Sequence, residues 1–236
     1  MNETKINILN YAAKHHIVSA PCLVSEYGIK TVTARQYLSD LYKAHELVRV
    51  GRGEYALSGK QQFSYEPTEE VIAIYRNLIT ELPFTDFCVY DGSIFSSIQH
   101  HLSINHAIYV ETNRDTVESV FSRLKGKYKD VFRQPTSTFM YDYVDLKNQC
   151  IIVKTLVTES PLINTNGVKV PTLEKILVDI LKDDDFDYMR GSEEYYMYQM
   201  ALELYTVNIP KIMRYARRRG ISDTVSKLIK QEYSND

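Results

Sequence analysis

Across residues 29–57, IKTVTARQYLSDLYKAHELVRVGRGEYAL, the spacing of apolar positions changes from helical to strand-like. Ala34, Leu38 and Leu41 fall at i, i+4 and i+7, which gives one face to a core and leaves Gln36, Ser39 and Lys43 pointing away. Leu47 to Val50 and Glu54 to Leu57 then alternate on either side of Gly51-Arg52-Gly53, whose glycines allow the positive φ of a tight turn. Upstream, Ile6, Leu9 and Ala13 form a helical stripe. Pro21 opens a second, short helix after Ser19 that carries Leu23 and Val24, and Gly28 closes it. Helix, short helix, turn, longer helix and hairpin in that order read as a winged helix-turn-helix over residues 1–60.

The polar run SGKQQFSYEP ends in a proline and predicts a linker at 61–67. From Thr68 a second unit, 68–236, begins with a capped helix whose Val71, Ile74 and Leu78 share a face and whose first turn holds Glu69 and Glu70. Strand-like DFCVYD, a helix near 93–101, strand-like HAIYVET and a helix burying Val117, Val120, Phe121 and Leu124 follow. TFMYDYVDL and CIIVKTLV read as two further strands around a Lys147-Asn148-Gln149 turn. After Pro171 the pattern is helical, first through Leu173, Ile176, Leu177 and Ile180. It is interrupted by acids around Asp183, Asp184, Asp185 and Asp187, then resumes in a run with Tyr195, Tyr196, Met197, Tyr198, Met200 and Tyr205 that reads as core. The predicted class is α+β: a winged helix-turn-helix followed by a mixed α/β domain with a helical C-terminal part.

Two groups of polar residues carry candidate chemistry. The N-terminal half of the longer helix holds Lys30, Thr31, Thr33, Arg35 and Gln36, the half that commonly enters a major groove in such folds. Arg suits guanine O6 and N7, Gln suits adenine N6 and N7, and Thr suits phosphate or a thymine methyl. Arg49 and Arg52 on the hairpin would hold phosphate. Near the C terminus, Pro210 opens a helix with Lys211, Arg214 and Arg218 at i, i+3 and i+7, flanked by Arg217 and Arg219. This basic surface suits DNA or an acidic partner, or is simply a solvated helix face. A packing or protein-interaction role for the N-terminal unit stays open as well.

Charge sharpens this only modestly. The chain is near neutral, at a formal −2, so attraction to nucleic acid must come from local patches. Residues 1–62 hold Lys5, Lys14, Lys30, Arg35, Lys43, Arg49, Arg52 and Lys60 against Glu3, Glu26, Asp40, Glu46 and Glu54. No apolar run approaches a membrane span and MNETKIN lacks a secretory core, so a cytoplasmic location is expected. Cys22, Cys88 and Cys150 are far apart, and the adjacent pairs His15/His16 and His100/His101 splay on a helix, so neither metal nor cofactor is expected. An enzymatic alternative is a nucleotidyltransferase-like site from Gly92-Ser93 after a strand, Glu111 ending the next, and Asp142 and Asp145 on a later one. Two-metal chemistry wants paired acids on one strand, and IYVET supplies only Glu111; Asp91-Gly92-Ser93 reads instead as a strand-to-helix turn with a capping residue.

LVRVGRGEYAL, VPTLEKILVDIL and LYTVNIPKIMRYARRRG together resemble the AbiEi family of antitoxins from type IV toxin-antitoxin (abortive infection) systems. The resemblance covers most of the chain, is generic over the hairpin, and is more specific over Pro171–Asp179 and RYARRR; residues 85–160 depart from the better-known members. It implies a non-enzymatic protein whose N-terminal domain binds double-stranded DNA at its own promoter and represses it. The C-terminal domain would counter a nucleotidyltransferase-type toxin encoded nearby, without requiring a stable complex. Its basic C-terminal residues would add to DNA binding. The rival expectation is a stand-alone transcription factor with a small-molecule effector domain.

Overall fold

The computed structural model describes residues 3–15, 17–58, 61–99 and 104–234. His16, Lys60, His100 and His101 lie outside them, as does the end of the helix expected over 93–101.

The N-terminal unit begins with α1 (Glu3–His15), the two-residue β1 (Val18–Ser19), α2 (Ala20–Tyr27) and α3 (Thr31–Lys43). β2 (Leu47–Gly51) and β3 (Glu54–Leu57) form an antiparallel hairpin, and β1 pairs with β3, giving the order β1-β3-β2. Pro21 sits in the first turn of α2, where its missing N–H costs nothing, and Gly28 ends that helix at φ 62. Gly53 takes φ 79 at the hairpin tip. Ile8, Ala12, Leu23, Ala34, Leu38, Leu41 and Leu47 close a core of their own. The face of α1 is rotated from the expected stripe: Ile8 and Ala12 are buried and Leu9 packs beside them, whereas Ile6 is 41% exposed. The i, i+1, i+4 set of Ile8, Leu9 and Ala12 places the seam between them and pushes Ile6 to its edge.

The segment expected as a linker is stitched down. Gln61 N donates to Leu204 O at 2.8 Å and Gln61 O accepts from Thr206 N at 2.9 Å. The Phe63 ring meets Tyr205 edge-on at 5.3 Å, and the buried Tyr65 accepts through its hydroxyl from Asp91 N at 3.0 Å.

The body opens with α4 (Glu69–Glu81), whose N-cap Thr68 accepts from Val71 N. It continues through β4 (Phe87–Asp91), a single 3-10 turn (Gly92–Phe95), β5 (Ile108–Thr112), α5 (Val117–Lys125), β6 (Val131–Arg133), α6 (Ser137–Tyr143) and β7 (Ile151–Thr155). These strands form one sheet of order β4-β5-β7-β6, antiparallel between β4 and β5 and parallel from β5 to β6. β4 and β5 are buried at every position, as strands covered on both faces must be. A separate hairpin, β8 (Leu162–Thr165) and β9 (Val168–Pro171), precedes α7 (Leu173–Lys182), a 3-10 segment (Asp184–Met189), α8 (Ser192–Leu204), α9 (Ile209–Arg219) and α10 (Ser222–Ser234).

The class is therefore mixed α and β, with α7 to α10 following the last strand. Two expectations fail locally. TFMYDYVDL is a short helix and a turn rather than a strand, because Thr136 caps it by accepting from Phe139 N at 3.3 Å and Met140 turns into the core. The helix near 93–101 is a 3-10 turn over its first residues. In α8, Met197 and Tyr198 are buried as expected, while Tyr195 is 37% exposed. Among the described residues no helix is long and apolar enough to cross a membrane.

Candidate nucleic-acid interface

Like α2, α5, α7 and α8, α3 begins without a side-chain cap. Its N-cap is Lys30, which offers no acceptor, so no side chain caps the first-turn amides. A cation there also opposes the positive end of the helix dipole, and an anion bound at the same place would relieve both problems. Thr31, Val32, Arg35 and Gln36 are exposed on the following turns and Thr33 is half-buried, while Ala34, Leu38 and Leu41 anchor the opposite face.

Packing α2 and the hairpin against this end creates a groove of about 510 Å³. Its lining brings together Thr31, Arg35, Arg52 and Gly53, with Glu54 as the one acid among the described lining residues, so residues from the helix and from the hairpin tip face one concave surface with a net excess of one cation. Gln36 flanks this face with its Nε2 already donating to Asp40 Oδ1 at 2.8 Å, in a chain that continues from Asp40 Oδ2 to Lys5 Nζ at 3.0 Å. That contact fixes the amide in one orientation. Lys5 and Gln36 hold the Asp40 carboxyl below its ordinary range. Val32, 78% exposed, is a residue that the sequence reading passes over. Its position off the Ala34-Leu38-Leu41 stripe was the available signal, and its methyl groups suit a thymine methyl.

Arg49 is not part of this groove. It projects from β2 on the other side of the hairpin, with Nε donating to Gly51 O at 3.1 Å, and lines a second cleft with Lys43 and Lys211.

The C-terminal basic helix also divides. α9 is capped by Asn208, which accepts from Lys211 N at 3.0 Å, and closed by Gly220 at φ 72. Ile212, Tyr215 and Ala216 are its buried face. Arg219 completes the i, i+3, i+4, i+7 series begun by Ile212, and so it points inward rather than flanking an outer stripe. Its Nη1 donates to Asp179 Oδ1 at 2.6 Å and its Nη2 pairs with Asp183. Lys211 Nζ lies 3.4 Å from Glu174 Oε2, and Arg218 bonds the Thr158 hydroxyl. Arg214 and Arg217 remain outward.

Arg219 belongs to an internal network that sequence spacing could not assemble. Lys154 from β7 donates to Asp185 at 2.7 Å and Asp183 at 2.9 Å, and its ammonium stands 4.3 Å over the Phe186 ring. Lys175 from α7 donates to Glu111 at 2.8 Å and pairs with Asp179 one turn on; Tyr90 also donates to Glu111, at 3.0 Å, and Tyr215 to Asp179, at 2.9 Å. Burial raises the Asp179 and Asp185 carboxyls. For Asp183, burial is outweighed by Lys154 and Arg219, which hold it below the ordinary carboxylate range. Burial would lower Lys154 and Lys175, yet their acidic neighbours raise both.

The acids weighed for a two-metal site lie apart. Glu111 is occupied by an ammonium and a phenol, while Asp142 lies on α6 and Asp145 in the turn after it, both exposed and not on a strand. Among the described residues no three His, Cys, Asp or Glu side chains are grouped to hold a metal. Asp91 Oδ1 accepts from Ser93 N at 3.0 Å and caps the turn between β4 and the 3-10 segment. Gly92 is required there, since a Cβ would lie 2.3 Å from Asn105.

Two hydrophobic cores, a three-helix unit with a hairpin and a mixed sheet with C-terminal helices, define an α+β protein that carries a cationic groove on its N-terminal unit. The chain belongs to the family of unknown function DUF6577, which matches residues 33–235, a span that begins within α3. A search among curated proteins finds no match.

Proposed function

We propose that this chain is a non-enzymatic DNA-binding regulator in which residues 1–60 act as a winged helix-turn-helix and repress the operon that encodes it. The observation that carries the reading is the groove that brings Thr31 and Arg35 of α3 together with Arg52 of the hairpin tip. A helix end that lacks a side-chain cap and bears Lys30 is suited to a phosphate, Val32 and Gln36 are exposed to read base edges, and Arg52 reaches a flanking backbone. The resemblance to AbiEi-type antitoxins supports the further reading that the body counters a nucleotidyltransferase-type toxin. Arg214 and Arg217 supply its outward cations.

Division of labour tests the DNA reading. Gln36→Ala should relax sequence preference with little change on random duplex. Arg52→Ala should weaken binding on every sequence and reduce the salt slope by about 0.9. Equal losses by both variants on specific and random DNA would refute the assignment. The antitoxin role is tested by growth: co-expression should rescue cells from a nucleotidyltransferase encoded beside the gene, and failure to rescue reduces the protein to a lone regulator.

A further inference from the structure

The hairpin's other side faces the body. Between the end of α3, β2 and the start of α9 lies a cleft of about 690 Å³, separate in its lining from the Thr31-Arg35-Arg52 groove. Its volume is within the range of about 300–1,000 Å³ common for small-molecule sites. Lys43, His45 and Arg49 come from the N-terminal unit, and Lys211 and Glu174 from the body. Glu174 is the one acid among the described lining residues, and it is already engaged: Oε1 accepts from Asn208 N at 3.0 Å and Oε2 lies 3.4 Å from Lys211 Nζ. Lys43 and Arg49 therefore add positive charge to this concave surface without a lining carboxylate to answer it. Tyr42, 44% exposed, contributes an aromatic ring to the same wall, and Leu47 and Val207 contribute apolar surface.

We propose that this cleft binds a small phosphate-bearing molecule with a planar ring, of nucleotide size, held between β2 and α9. A terminal phosphate carrying about −2 charges matches the excess from Lys43 and Arg49, and the guanidinium of Arg49 can engage two of its oxygens. The ring would lie along Tyr42 and the apolar patch. Because such a ligand bridges Arg49 of one core to Lys211 of the other, it fixes the N-terminal unit against the body. The consequence for operator affinity rests on the DNA-binding reading, whereas the binding itself does not.

The test is thermal unfolding of the full chain with about 5 mM ATP as probe and adenosine as control. A Kd near 50 µM would raise Tm by about 5–10 °C. The variant Lys43→Gln/Arg49→Gln replaces two exposed side chains, so its Tm without ligand should match the parent within about 2 °C, the expectation for surface positions. The rise should be present in the parent and in Arg52→Gln, absent in Lys43→Gln/Arg49→Gln, and absent with adenosine. Any other pattern overturns the proposal: no rise in the parent, a rise that survives the double substitution, a rise lost with Arg52, or an equal rise with adenosine. The assay contains no DNA, so its failure is distinct from failure of the groove to bind an operator.

Discussion

Lys154→Met removes one cation from the buried network while keeping the length of the stem. The Lys154 side chain is 10% exposed and its ammonium is the shared partner of Asp183 and Asp185, at 2.9 and 2.7 Å. Methionine retains contact with Phe186 and Tyr109 but leaves Asp185 without its cation and Asp183 with Arg219 alone. Breaking a buried pair from one side costs about 3–5 kcal/mol, because the remaining carboxylate stays desolvated. For a chain of this size that is a fall in Tm of about 6–20 °C. The pH dependence gives a second sign. Asp183 is held below its unfolded value in the parent, so its contribution is present above about pH 4 and is lost as pH falls through its folded value. Without Lys154 much of that depression disappears, and the gap between parent and variant should narrow in acid. Urea unfolding followed by tyrosine near-UV circular dichroism at neutral and acid pH measures both effects. Adding Asp185→Leu should recover more than half of the loss, since the uncompensated acid goes with it. A loss below about 1 kcal/mol, or a gap unchanged in acid, would refute the placement of Lys154 as the shared compensating cation of these buried carboxylates.

The two arginines near the end of α9 should behave oppositely: Arg219→Met should destabilise by about 3 kcal/mol or more, while Arg217→Ala should fall within about 0.5 kcal/mol, both by urea unfolding. Equal effects would contradict the inward placement of Arg219. Gly92→Ala should cost at least about 1–3 kcal/mol, because its Cβ would meet Asn105 backbone and side chain at 2.3 Å, and a neutral result would show that this turn yields easily.

Local periodicity made much of this architecture legible. The Ala34-Leu38-Leu41 stripe repeats with the helical period and the glycine-bounded hairpin is marked by its turn, while β4, β5 and β7 stand out as short, nearly continuous apolar runs. Where signals competed, packing decided. Alternating aromatics in TFMYDYVDL favour a strand, yet a threonine cap and one buried methionine make a helix. Asn166-Gly167, at φ 53 and 82, carries the signature of a two-residue hairpin turn and marks β8-β9, a hairpin the sequence reading leaves unassigned. The candidate site was partly visible. Thr31, Arg35 and Arg52 line one groove between helix and hairpin, whereas Arg49 lines a separate cleft. Arg219 was misplaced because a run of like charges masks the helical period that carries it inward from Ile212. The Lys154-Lys175-Arg219 network joins β5, β7, α7 and α9, and only tertiary folding brings those elements together.

Fluorescence anisotropy on the duplex upstream of the gene, against a scrambled duplex and across a salt series, tests the central claim most directly. Binding through Lys30, Arg35 and Arg52 predicts a Kd on the upstream duplex at least about a thousandfold tighter than on the scramble. Two phosphate contacts, at Lys30 and Arg52, give a slope of log K against log salt of about −1.8, reduced stepwise by Lys30→Ala and Arg52→Ala. Equal affinity for both duplexes, with a slope that neither substitution changes, would contradict the assignment of this groove as a DNA-reading surface.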